Sequence, residues 1–244
     1  GIREAVCIHT KKIYDSCRDK DCIEDLRFYP TVSGQAVLNN ALTVKGGTAE
    51  LLYVYIDVEP VNFNRGCYTI DMRFFYHVTV QAFGHNPRPT EVEGLCVFDK
   101  RVILFGSEGN VKSYSSEMRE EDPDPQQLMG NNLPNAVVEA VDPIVLEAKF
   151  REACDCCCCC CTDIPCGVTK CFSEELDTSQ GNRQVLVTLG QFSIVRLERD
   201  SQLLIPVYNY CLPEKECAGG EDGDPCDLFQ NIAFPVNEFF PPNT

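Results

Sequence analysis

Tryptophan is absent from the 244 residues, methionine occurs three times, and the only histidines are His9, His77 and His85. No apolar run approaches the ~18 residues that a membrane helix needs, so no membrane span is expected. Basic residues are scarce: Lys+Arg number 21 against 37 Asp+Glu, a formal charge of −16. Binding a phosphate backbone needs clustered Lys and Arg, so nucleic acid is not an expected partner, and an anionic membrane surface is disfavoured. Neither a Walker A loop nor G-x-G-x-x-G is present, and there is no G-x-S-x-G elbow. His77 reads as structural rather than catalytic. His9 near Cys7 is a weak Cys/His pair, because such partners are found by geometry and not by adjacency. No enzyme activity and no cofactor are expected.

Cysteine is what the chain has in excess. Seventeen residues is well above ordinary usage. Seven of them fall in Cys154-Asp155-Cys156-Cys157-Cys158-Cys159-Cys160-Cys161, and Cys166 and Cys171 follow. In an extended strand successive side chains face opposite ways. Cys156, Cys158 and Cys160 would then form one row and Cys157, Cys159 and Cys161 the other, with roughly 6.6–7 Å between thiols of a row. Neighbours in sequence bridge only in a strained ring, so partners are sought on adjacent strands or another chain. The block reads as a two-sided cross-linking strip. One row would tie into its own domain through Cys166 and Cys171, and the other would serve a neighbour. The alternative is a thiolate metal site for zinc, copper or iron. Cys154, Cys157, Cys166 and Cys171 can be fitted to a zinc spacing, but consecutive cysteines point apart and suit a single tetrahedral site poorly. A thiol oxidoreductase is a third reading, weakened by the lack of an isolated C-x-x-C on a βαβ pattern.

Persistent disulfides imply an oxidising compartment. The first residues, Gly1-Ile2-Arg3-Glu4-Ala5-Val6-Cys7, lack a secretory charged-then-apolar pattern. An odd cysteine count leaves at least one thiol free, liganded or paired between chains.

Along the chain, Asp15 to Asp25 interleaves charge with Cys17 and Cys22 and suits an exposed loop or a short helical turn. Asp15, Asp19, Asp21 and Asp25 lack the twelve-position calcium loop and read as solvated charge. From residue 35 the pattern becomes β. Leu51–Val58 is a strand of branched and aromatic residues. In Tyr68–Phe83, Tyr68, Ile70, Met72, Phe74, Tyr76, Val78 and Val80 share a buried face. Thr69, Asp71, Arg73, His77, Thr79 and Gln81 share a wetter one, interrupted by Phe75. Residues 84–89 break the strand.

Val92–Phe98 and Val102–Phe105 read as a hairpin turning at Asp99-Lys100-Arg101. Residues 107–135 form a long polar loop. Ile144–Arg151 alternates and reads as a strand running into the cysteine block. Gln184–Leu189, Gln191–Glu198 and Leu203–Tyr210 read as three further strands, with Pro206 at an edge or bulge. The Asp222, Asp224 and Asp227 group reads as a solvated turn. Phe234, Phe239 and Phe240 form an apolar tail. The expectation is a single β-rich domain over 1–244 with a cysteine-rich segment at 154–171. Its fold class is mainly β, an antiparallel sandwich or open barrel with long loops.

The acidic, β-rich chain with its cysteine block resembles the cysteine-rich exosporium protein of clostridial spores. Arg3-Glu4-Ala5-Val6-Cys7-Ile8 and Lys12-Ile13-Tyr14-Asp15-Ser16-Cys17 add to the likeness. The resemblance implies a structural protein at the spore surface, made in the mother-cell cytoplasm without a secretory signal. It implies self-assembly as a homo-oligomer, a hexameric ring repeated in a two-dimensional lattice, with other spore-envelope proteins as further partners. Cross-linking would fall to Cys154, Cys156, Cys157, Cys158, Cys159, Cys160, Cys161, Cys166 and Cys171, giving a disulfide-stabilised permeability barrier.

Overall fold

Strand alternation in the middle of the chain builds the structure outward. The computed structural model describes residues 7–85, 88–109, 132–152, 164–179, 183–204, 213–215, 229 and 232–239. Its elements are β1 (Cys7–Pro30), α1 (Val32–Asn40), β2 (Thr43–Pro60), β3 (Cys67–Phe83), β4 (Thr90–Phe105), β5 (Asn135–Ala140), β6 (Ile144–Glu152), α2 (Cys166–Thr169) and β7 (Arg183–Leu204). A single helical turn, Val236–Phe239, lies near the end. All strand pairs are antiparallel, in the order β2-β3-β4-β1-β7-β5, with β6 also on β7.

β2, β3 and β4 form one layer, and β1, β7, β5 and β6 form the other. β5 and β6 lie end to end along one side of β7, opposite Asn135↔Glu198 to Ala140↔Ser193 and Ile144↔Gly190 to Glu152↔Arg183. The layers join at a corner where β1 pairs β4 through Tyr29↔Leu95 and Pro30↔Gly94 alone. On the far side β2 approaches β6, where a Cβ on Gly46 would lie 2.5 Å from Val145 and the Leu51 N–H donates to Asp142 at 2.9 Å. The sheet thus curls almost to closure, as a mainly β sandwich or barrel should.

The core between the layers follows the alternation. β3 contributes Tyr68, Ile70, Met72, Phe74, Tyr76, Val78 and Val80, all buried as their period predicts. β7 contributes Val185, Val187, Leu189, Val195 and Leu197 to the same core.

Four expectations are corrected. Residues 15–25 belong to the 24-residue strand β1 and are not an exposed loop. Period two turns Cys17, Asp19, Asp21 and Ile23 inward, where all four are buried, and charges on the opposite face conceal that pattern. Asp99-Lys100-Arg101 is no turn, because β4 runs unbroken through it. β3 holds the complementary charges directly opposite: Arg101 bonds Asp71 through Nε and Nη2 at 2.5 and 2.8 Å, and Arg73 bonds Asp99 at 2.6 and 2.9 Å. Cross-strand pairs of opposite sign favour this register.

Residues 184–204 form one strand, not several. Gly190 does not break it; its missing side chain admits the Phe229 ring, which a Cβ would meet at 2.7 Å. Residues 32–40 are helical rather than β, started by the Thr31 hydroxyl accepting from the Gly34 N–H, a side-chain cap that propensity alone does not reveal. Pro206, residues 110–131, Asp222, Asp224, Asp227 and Phe240 lie outside the described residues.

Candidate thiol platform

The block Cys154 and Cys156–Cys161 lies outside the described residues. The chain on either side is placed. β6 ends at Glu152 beside Arg183 of β7, so a strand leads toward the block as expected. At Ile164 the chain lies on the outer face of β2–β3–β4. There Val168 and Phe172 join Tyr29, Phe75 and Leu95 in a second apolar cluster, with Ile164, Leu176, Leu52 and Val97 packed around it. This cluster explains why Phe75 interrupts the polar face of β3. The residue faces outward yet is 1% exposed, because residues 164–176 cover it.

Polar contacts fix the same segment. The Glu93 carboxylate on β4 accepts the Ser173 hydroxyl, the Ser173 N–H at 3.0 Å and His77 Nε2 at 3.1 Å. The Ser173 hydroxyl, followed by His77, holds Glu93 below the usual carboxylate range against the opposing effect of burial. His77 stacks on Phe172 with ring centroids 5.1 Å apart. The Asp177 N–H donates to Pro30 O at 2.7 Å and the Val32 N–H to Glu175 O at 3.0 Å. His77 therefore anchors a segment, on the polar strand face where the alternation placed it.

Cys166 and Cys171 stand at either end of this anchored stretch, and both are exposed free thiols. Neither is disulfide-bonded, and the row of the block expected to tie to them lies outside the described residues. Cys171 Sγ donates to Gly167 O at 3.4 Å. A groove of about 960 Å³ opens beside Ile164 and Pro165, walled by Tyr55 and the Arg73–Asp99 and Arg101–Asp71 pairs. Cys7 is also free and exposed, two residues from His9 on the same side of β1. Cys67 is half-buried, and Cys96 is buried, with its thiol pushed well up by that burial. Cys17 and Cys22 are disulfide-bonded, a role the charge-rich spacing around them did not suggest.

The remaining candidates divide. Among the described residues no three His, Cys, Asp or Glu side chains converge to hold a metal, and no helix is long and apolar enough to cross a membrane. The four aspartates of β1 do not form one site. Asp15 accepts Lys215 Nζ at 3.1 Å and the Phe105 N–H at 3.1 Å, and Asp25 pairs Lys149 at 2.8 Å. Asp19 and Asp21, expected from sequence to be solvated, instead meet Lys100 in the core.

No family model matches the chain, and no solved structure matches it. The chain is similar to exosporium protein A of Clostridium sporogenes, 34% identical over 90 residues. That stretch covers 36% of this chain and 28% of the relative, so the likeness extends to a minor part of each.

Proposed function

We propose that this protein is a structural component of the spore outer envelope that self-assembles into an ordered, disulfide-stabilised layer acting as a permeability barrier. The carrying observation is the placement of Cys166 and Cys171. Both are exposed free thiols, held by the Val168–Phe172 cluster and the Glu93 clamp on a rigid sheet face. Thiols held in this way meet a neighbouring chain without the segment that carries them first ordering itself. The likeness to an exosporium protein supports the location, and the absence of nucleotide and nucleophile-elbow motifs supports a non-enzymatic role. Subunits dock through their β surfaces, and the cysteines of 154–171 then lock the contacts. A disulfide contributes ~2–4 kcal/mol to a fold, and many links between chains convert dissociation into bond breaking. Repetition around a closed ring, six subunits in this proposal, then spreads the contact into a lattice.

Electron microscopy of the purified protein tests this reading. It expects ordered sheets, together with ladders on non-reducing gels that collapse with heat and reductant. A chain that stays monomeric with and without oxidant overturns the proposal. So does a chain with fully reduced thiols and near-stoichiometric zinc, copper or iron, which would indicate metal storage.

A further inference from the structure

At one level of the largely apolar core between the two layers, several buried polar groups converge. From β1 come Asp19 and Asp21, and from β4 comes Lys100, whose Nζ contacts both carboxylates. The three side chains are 10%, 10% and 8% exposed. Between Val185 and Leu197 the inner face of β7 interrupts its apolar series at Gln191 and Ser193. These lie directly across from Asp21 and Asp19 in the β1–β7 ladder. Tyr76, fully buried on β3, completes the level, and Asp21 helps push its hydroxyl upward. The Tyr76 hydroxyl, Gln191 Oε1 and Ser193 Oγ have no hydrogen-bond partner among the described residues.

As a salt bridge this arrangement is poor. Two carboxylates meet one ammonium, and burying charge is costly unless it is balanced and fully hydrogen-bonded. The two acids are also unequal. Asp19 Oδ1 accepts the Lys20 N–H at 2.7 Å. Asp21 has no backbone donor of this kind among the described residues, and burial raises it to about 6. Asp21 also hydrogen-bonds Asp19. Burial thus favours the neutral form of the Asp21 carboxyl, which lies in contact with Asp19 and the Lys100 ammonium in a water-poor interior.

We infer that Lys100 Nζ and Asp21 Cγ condense to an intramolecular amide that covalently joins β4 to β1. Asp19 takes a proton from the Lys100 ammonium. The freed nitrogen lone pair attacks Asp21 Cγ, and the C–N bond forms. The nitrogen of this tetrahedral adduct gives up a second proton, relayed through Asp19 to the departing hydroxyl. The Cγ–OH bond breaks and water leaves. Asp19 ends protonated, so ammonium, carboxylate and neutral carboxyl become amide, water and a second neutral carboxyl. Atoms and charge balance with no oxidant or co-reactant. The product carries no charge at this level of the core. The link sits roughly 30 Å along β1 from the Pro30 corner, where β1 and β4 pair through two residue pairs. It ties the layers between that corner and the Phe105–Asp15 contact.

The test is mass spectrometry of the denatured, reduced and alkylated full-length chain. The expected intact mass is one water below that of the fully alkylated sequence. Trypsin, cutting after Lys20, separates Asp19 from Asp21. The expected product is a branched species joining peptide 21–27 to the peptide that carries Lys100. Lys100→Arg, which keeps the charge and cannot form the amide, has the full mass. Asp19→Ala retains both reacting groups, and its cross-linked fraction falls at least tenfold. A wild-type chain of full mass, or a water loss without the branched peptide, overturns the inference. A branch on peptide 19–20 overturns the assignment of Asp21 as the acceptor.

Discussion

His77 and Phe172 stack with ring centroids 5.1 Å apart and planes inclined by 27°, so a strand histidine seats the segment that carries Cys166 and Cys171. Phe172 is 8% exposed and packs in a five-residue buried cluster separate from the main core. Phe172→Ala is expected to cost about 3 kcal/mol, at the low end for a buried aromatic. The loss falls on local opening rather than on global unfolding. Hydrogen exchange reads the difference: amides of 168–173 exchange faster, while those of β3 keep their protection.

The clamp on the same segment depends on pH through Glu93. Its folded pKa lies below the ordinary 4.5 because the Ser173 hydroxyl and His77 favour the carboxylate. A lowered carboxylate pKa gives stabilisation that is present above 4.5 and lost as pH falls through the lowered value. Acidification below the usual glutamate range is therefore expected to free residues 164–176 before β3 and β4 separate. Glu93→Gln should show that loosening already at neutral pH. Exchange of the Ser173 amide across a pH series, corrected for the intrinsic rate, checks both.

Gly94 marks the corner between the layers. A Cβ there would lie 2.5 Å from Tyr29 O and 2.6 Å from the Phe28 ring, and backbone cannot yield as a flexible side chain can. Gly94→Ala is expected to destabilise the fold by ~3 kcal/mol, the upper part of the usual overpacking range. A chemical denaturation midpoint measures it. Gly167→Ala is the control, since a Cβ there meets nothing within 4 Å.

Thiol reactivity should sort the cysteines by place. Cys7, Cys166 and Cys171 are exposed and free, so native iodoacetamide labelling reaches them. Cys96 is buried, with its thiol pushed well up, and nucleophilic reactivity belongs to the thiolate. It is expected to label only on unfolding. Cys17 and Cys22 are disulfide-bonded and should label only after reduction. Peptide mapping after native and denatured labelling separates the three classes.

Where one face of a strand was apolar and the other polar, as in β3, the alternation was legible residue by residue. Even its exception, Phe75, was visible, though not the segment that covers it. β1, β4 and β7 were misread for a common reason. Their inward or central positions carry charge or glycine, which local pattern assigns to loops and turns. Asp19 and Asp21 are inward because Lys100 meets them from the other layer, and Asp99 and Arg101 stay in a strand because Asp71 and Arg73 stand opposite.

The cysteine block was the plainest feature of the sequence, and the structure adds the placement of Cys166 and Cys171 on the outer sheet face. By itself the sequence determined a β-rich, acidic, cysteine-laden chain, because composition and a two-residue period are local properties. Only the tertiary structure decided which charges are buried and what meets them. A partner some 80 residues away leaves no mark on the local pattern of either strand.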